Sequence, residues 1–172
     1  MEQTIVHLAL LGGTEKQMVN NVCNSSFHKP MGEDYVSLVK KDDTMVSLLR
    51  NTGEIIGVAF IDLKKCNVDP KYSSPIFYHL HSIAISKEFR GKGLCRKLVH
   101  PIVKKYGRVP IYLNVRTTLG NPNVSAIKCY RHFGFTIVPT VNVEMSDGPN
   151  SLMIRLPKKT KTRKKRRRSK NK

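Results

Sequence analysis

Arg90-Gly91-Lys92-Gly93-Leu94-Cys95 is the stretch on which the reading of this chain turns. It follows a run rich in β-branched and aromatic residues, Ile76 to Ser86, and opens an amphipathic run from Leu94 to Tyr106. Glycines on both sides of Lys92 let successive backbone N–H groups converge. A helix beginning at Leu94 adds the partial positive charge of its N-terminus, and phosphate oxygens bind well at such a place. Arg90, Lys92, Arg96 and Lys97 surround it with further positive charge. Taken alone, such a turn serves backbone geometry as readily as a ligand. Two nucleotide-binding patterns are excluded by residue type. A Walker A loop needs Ser or Thr where Gly93 stands, and a dinucleotide fingerprint needs glycine where Arg96 stands.

Outward from this loop the chain alternates strands and helices. Upstream, Thr4 to Leu11 reads as a strand ended by Gly12-Gly13. Thr14 followed by Gln17 predicts a capping box and a helix through about Val22. Residues 24–33 lose the apolar period and read as a loop or broken helix. Met45 to Arg50 and Glu54 to Leu63 form a hairpin across Asn51-Thr52-Gly53, and Val68 to Pro75 is a polar connection. Downstream, the helix from Leu94 to Tyr106 contains Pro101, expected to kink it or weaken its first half. Pro110 to Val115 is a short strand. Pro122 marks a helix start, and Val124, Ile127, Cys129, Tyr130 and Phe133 give an apolar face up to Gly134. Phe135 to Val143 and Ser151 to Leu156 are strands across Asp147-Gly148-Pro149. The order implies an α+β domain around one mixed sheet.

The run His81-Ser82-Ile83-Ala84-Ile85-Ser86, four residues, then Gly91-Lys92-Gly93 and a helix resembles motif A of the GNAT superfamily of acetyltransferases. The family's pattern of Gln or Arg, two residues, Gly, one residue, and Gly or Ala falls on Arg90, Gly93 and Cys95. Cys95 departs from it. Asn123, Ala126, Tyr130, Gly134 and Phe135 match motif B without an insertion, and Asn123 and Tyr130, seven apart, share a helix face. The resemblance covers about Tyr78 to Phe135. It implies a mixed, mainly antiparallel sheet flanked by helices, which splays beside the motif A strand, and an enzyme, an acetyl-CoA-dependent N-acetyltransferase. Main-chain groups of Ile83, Ala84 and Ile85 would meet the pantetheine arm. Amides of Arg90, Gly91, Lys92, Gly93, Leu94 and Cys95 would hold the pyrophosphate, and Asn123 would meet the cofactor from its helix. Tyr130 is the implied donor to the departing thiolate. For the base, His79 and His81 alternate along the strand, with Ile83 and Ile85 expected to continue their face.

Composition bounds the rest. The chain has 172 residues and a net charge of +19, enough for one domain, 1–156, followed by a basic tail, 157–172. Lys158 to Lys172 holds eleven Lys and Arg and no acid. Without apolar residues it is expected to be disordered. It reads as a nuclear localisation segment, a nucleic-acid or ribosome-binding arm, or a solvated end. The N-terminus is a poor signal peptide and too short for a membrane span, so a cytoplasmic or nuclear, non-secreted protein is expected, without membrane partners. Cys23, Cys66, Cys95 and Cys129 are scattered and read as mostly buried thiols rather than a disulfide framework, with no metal expected. The preferred acceptor is a peptide or protein amine. Val141-Asn142-Val143 departs from the tyrosine pair frequent in N-terminal protein acetyltransferases. A polyamine-type acceptor and a non-catalytic module binding acyl-CoA or nucleic acid are the alternatives. Oligomeric state is not readable.

Overall fold

The computed structural model describes residues 1–27, 35–39, 43–63, 77–116, 123–145 and 148–157. The expected polar connection at 68–75, Cys66 and the basic tail from Lys158 lie outside them. Seven strands form one sheet: β1 (Glu2–His7), β2 (Thr44–Asn51), β3 (Glu54–Asp62), β4 (Tyr78–Ile85), β5 (Ile111–Arg116), β6 (Thr136–Met145) and β7 (Gly148–Arg155), in the order β1-β2-β3-β4-β5-β7-β6. All pairings are antiparallel except β4 with β5. Among the described residues four α-helices flank it: α1 (Gly13–Ser26), α2 (Tyr35–Leu38), α3 (Leu94–Tyr106) and α4 (Val124–His132).

Helices cover both faces, and β3 shows why. Its interior is apolar at every position, so both of its faces must be covered. Ile56, Ala59 and Ile61 pack with Leu98, Val99 and Ile102 of α3 and Tyr130 of α4. Val58 and Phe60 pack the other way, with Val19, Val22 and Cys23 of α1 and Val36 of α2. Each fully buried Leu, Ile or Phe side chain contributes about 1.5–3 kcal/mol by leaving water.

Several local expectations change. The first strand stops at His7 and a single 3-10 turn, Leu8–Leu10, follows, with His7 Nδ1 accepting from Ala9 N at 3.3 Å. Helix α1 starts at Gly13, not Thr14. The Glu15 carboxylate caps it by accepting from Gly12 N at 3.1 Å, and Gln17 instead donates to Asn21. It also runs on to Ser26.

Helix α3 is unbroken through Pro101. Proline offers no N–H to the carbonyl four residues back. The Gln3 side chain on β1 donates to that carbonyl of Lys97 instead, and Ser47 Oγ donates to the next one, Leu98 O, at 3.0 Å. The sheet satisfies what the proline leaves open.

The cysteine expectation is also corrected. Cys95, at the start of α3, and Cys129, in α4, form a disulfide with Cα atoms 6.3 Å apart, because both helices lie side by side on the same face. Cys23 is a buried free thiol, and burial pushes its pKa up to about 12.

Candidate active site

Strands β4 and β5 are paired at Tyr78↔Ile111 and His79↔Tyr112 only. Beyond that point they part. The edge of β4 toward β5 then borders a cleft of about 910 Å³. Its walls are the end of α1 (Ser26, Phe27), β4 from Ile83 to Ile85, the loop from Phe89 to Arg96, Arg116 at the end of β5, and α4 with its preceding Asn123.

The loop has the backbone that its glycines permit. Gly91 and Gly93 have φ of +77° and +72°, and Gly93 is the left-handed residue that starts α3. The first N–H groups of a helix have no intrahelical partner, so this turn points donors and dipole into the cleft. Nine of the ten cofactor-binding candidates line it: Ile83, Ala84, Ile85, Arg90, Gly91, Gly93, Leu94, Cys95 and Asn123. Lys92 does not. It is exposed, with Nζ 5.2 Å from the centre of the Phe89 ring.

Two of the candidates already have local work. Arg90 Nε donates to Ile85 O at 2.9 Å and its Nη2 to Ser26 O at 3.4 Å, tying the loop to β4 and α1. Asn123 Oδ1 accepts from Ala126 N at 3.1 Å, capping α4. The cations of the cleft wall are therefore Arg96, Arg116 and Lys128 as well. Arg116 Nε is buried without a hydrogen-bond partner among the described residues. Nothing in the sequence singled out Arg116 or Lys128. Their signal was only position, at a strand end and on the motif B helix.

Tyr130 lies in the cleft wall at 6% exposure, with its ring centre 6.2 Å from that of Phe135. Burial raises its pKa well above the usual phenol range, so the hydroxyl stays protonated.

The histidines stand elsewhere. The expectation that Ile83 and Ile85 continue the face of His79 and His81 is overturned by a bulge. Phe60 pairs with His81 but Val58 with Ala84, so β4 carries one extra residue, and Ser82 adopts φ +48°. One inserted residue flips every later side chain to the opposite face. Ile83 and Ile85 thus pack toward α3, while His81 stacks on Phe60 on the α1 and α2 side, ring centres 5.6 Å apart. The structure brings Tyr130 to the cleft and places both histidines on the other face.

There they join a polar cluster that sequence reading missed. His81 Nε2 is 3.3 Å from Asp62 Oδ2, without hydrogen-bond alignment, and His79 Nδ1 is 3.9 Å from it. Thr44 Oγ1 donates to Asp62 Oδ1 at 2.6 Å. On the other side, His81 Nδ1 is 2.9 Å from Ser82 Oγ, which also bonds the Tyr35 hydroxyl. His79 stacks on Tyr112 at 4.5 Å. Asp62 is the register partner of His79, a relation invisible until β3 and β4 are paired. The Asp62, His79 and His81 ligand atoms lie within 4.8 Å of one another, so the trio is also close enough to share a divalent cation.

The cluster sets a pH dependence. Burial, then the neighbouring His81, pushes His79 down to about 4, with Asp62 opposing. Burial alone would raise the Asp62 carboxyl, but the polar contacts of His81 and Thr44 and the charge of both imidazoles hold it below its usual range. An unfolded His79 takes its proton near pH 6.5, the folded one only near 4. Its contribution is therefore complete above pH 6.5 and is lost as pH falls toward 4, by about 3 kcal/mol in all. Asp62 adds a loss of the same sign at lower pH. Urea unfolding at neutral pH and near pH 4.5 should show this decline, and His79→Gln should flatten it. An equally steep decline in that variant would assign the effect to other groups.

The family model described as the acetyltransferase (GNAT) family matches residues 17–135. The chain belongs to the GNAT acetyltransferase family, whose members use acetyl-CoA. An uncharacterised Mycobacterium leprae protein is 38% identical over 64 residues, 37% of this chain and only 17% of that protein. Among solved structures, the Escherichia coli ribosomal-protein-S18-alanine N-acetyltransferase superposes with a TM-score of 0.68 at 19% identity, over 95% of this chain and 98% of that one. An aminoglycoside acetyltransferase, in complex with coenzyme A and kanamycin, superposes with a TM-score of 0.61 at 21% identity, over 90% and 95%. The expected α+β sheet flanked by helices is thus the fold of N-acetyltransferases.

Proposed function

We propose that this chain moves an acetyl group from acetyl-CoA to a primary amine of a peptide or protein by direct attack on the thioester. The observation that carries this reading is the cleft itself. An unpaired strand edge runs from the Gly91–Gly93 turn past a buried phenol, with Arg116, whose Nε has no hydrogen-bond partner among the described residues, in the wall. A strand edge suits the amide-bearing pantetheine arm, the turn and the cations suit phosphates, and the thioester supplies an activated acetyl group.

The chain's own groups then handle two protons. Ser82, bonded to His81 and Tyr35, immediately precedes Ile83, the first β4 residue of the cleft wall, and is proposed as the relay between cleft and polar cluster. Ser82 passes the ammonium proton to His81 Nδ1, and Asp62, near Nε2, stabilises the imidazolium. The freed amine attacks the carbonyl carbon, a C–N bond forms, and the C–S bond breaks. Tyr130 gives its phenolic proton to the departing sulfur and regains one from solvent. His81 is assigned the role because it, and not His79, contacts Ser82, while burial pushes His79 down to about 4.

For the acceptor, the cleft wall holds no carboxylate among the described residues, which disfavours a polycationic amine and supports a peptide one. The similar solved structures include both a ribosomal-protein and an aminoglycoside acetyltransferase.

The test begins with thermal unfolding of the full chain. Acetyl-CoA at about 100 times its dissociation constant adds about 2.7 kcal/mol, which is roughly 5–10 °C of midpoint. Thiol release with amine-bearing peptides should then exceed that with spermidine or kanamycin, and chelator should leave it unchanged. An unshifted midpoint would remove the cofactor assignment. Faster turnover of the small polyamines would move the acceptor class, and loss of activity to chelator would turn the Asp62 cluster into a metal centre.

A further inference from the structure

Residues 89–143 contain ten lysines and arginines and no aspartate or glutamate; all twelve acids of the chain lie outside this segment. The cleft accounts for part of that charge, through Arg90, Arg96, Arg116 and Lys128. Four others, Lys104, Lys105, Arg108 and Arg131, do not line it. They are exposed, and among the described residues none has a carboxylate partner.

These four are brought together by one buried side chain. Arg155, at the end of β7, donates from Nη1 to Gly107 O at 2.9 Å and from Nε to Phe133 O at 3.0 Å. It thereby ties the C-terminal ends of α3 and α4 to each other. Lys104 and Lys105 occupy the last turn of α3, with Arg108 just beyond, and Arg131 and His132 the last turn of α4. The loop that opens the cleft is at the other end of α3, roughly 18 Å away along thirteen residues. Cations at helix C-termini complement the helix dipole, which explains each one singly. It does not explain the absence of every acid around them. Leu156 and Pro157 alone separate Arg155 from the segment 158–172, which holds eleven cations.

We infer that the joined C-terminal ends of α3 and α4 form a nucleic-acid backbone-binding surface, continuous in charge with the basic C-terminal segment and separate from the cofactor cleft. Its aromatics are half-buried, Lys105 Nζ lying 5.3 Å from the centre of the Tyr106 ring, and neither Tyr106 nor Phe133 is an exposed apolar side chain, which fits phosphodiester contacts better than a lipid surface. Base-edge reading has no counterpart here, so the binding is sequence-tolerant.

The test uses the full chain and a fluorescent duplex of about 20 base pairs, titrated at several salt concentrations between about 50 and 200 mM. Alanine at Lys104, Lys105, Arg108 and Arg131 together should flatten the log affinity against log salt slope by about 3, at about 0.9 per lost phosphate contact. Affinity at the middle of that range should fall at least about tenfold. The charge-conserving set Lys104→Arg, Lys105→Arg, Arg108→Lys and Arg131→Lys should keep the parent slope, and the acetyl-CoA thermal shift should persist in both sets. Unchanged affinity and slope in the alanine set would overturn the surface and leave the C-terminal segment as the sole contact. Displacement of the duplex by saturating coenzyme A would overturn its separation from the cleft. Tighter binding to phosphatidylserine vesicles than to the duplex would overturn the choice of partner.

Discussion

Tyr130→Phe is expected to lower acetyl transfer by about 100-fold while leaving acetyl-CoA affinity within about twofold. The substitution removes one oxygen and nothing else. The ring keeps its place beside Phe135 and in the core under α3 and α4, so stability should hardly change. Under the proposed mechanism, what is lost is the proton for the departing sulfur. A positioned acid of this kind contributes about 10²–10⁴, and 100-fold corresponds to about 2.7 kcal/mol of barrier. Burial keeps the phenol protonated across the physiological range, so Tyr130 can act as an acid and not as the base. Steady-state thiol release and calorimetric titration of acetyl-CoA separate the two quantities. Full turnover in the phenylalanine variant would end the assignment. A weakened affinity with unchanged turnover would make Tyr130 a binding residue.

The largest structural effect is expected at Gly107, which ends α3. A Cβ there would lie 2.3 Å from Val103 O and 2.9 Å from Arg155 Nη1. Neither neighbour can yield cheaply. The first is helix backbone, and the second belongs to the guanidinium that joins α3, α4 and β7 through Gly107 O and Phe133 O. Overpacking costs about 1–3 kcal/mol, and a disturbed hydrogen bond from a charged group about 1.5–3. Gly107→Ala should therefore destabilise by about 3 kcal/mol, lowering the midpoint by roughly 6–12 °C. Gly13→Ala is the control. It starts α1 with open space around it, so alanine should be neutral or slightly stabilising. Equal midpoints for the two variants would contradict the packing seen at Gly107.

Local signals in the sequence carried much of the architecture. The Asn51-Thr52-Gly53 hairpin and the bounds of α3 each rest on a turn residue or a glycine acting on its immediate neighbours, and both stand in the structure. What could not be read depends on remote partners. The tolerance of Pro101 needs Gln3 and Ser47, 94 and 51 residues from the carbonyls they satisfy. The Cys95–Cys129 bond needs two helices placed side by side. Asp62 joins the histidines only through the register of β3 on β4. The bulge was hidden for another reason. Every residue from Tyr78 to Ile85 suits a strand, and no glycine marks Ser82 as the place where the ladder gains a residue.

That bulge also divides labour along a single strand. Before Ser82, the outward positions of β4 belong to the histidines and answer to Asp62, Tyr35 and Tyr112. After it, Ile83 and Ile85 answer to the helices and the cleft. The bulge thus sends the histidines and the two isoleucines to opposite faces of the sheet, although Leu80 still packs in the cluster of Ile83 and Ile85, and Ala84 in that of Phe60. The proposed base and the proposed donor contacts therefore stand on opposite faces of one strand, with Ser82 as the seam between them.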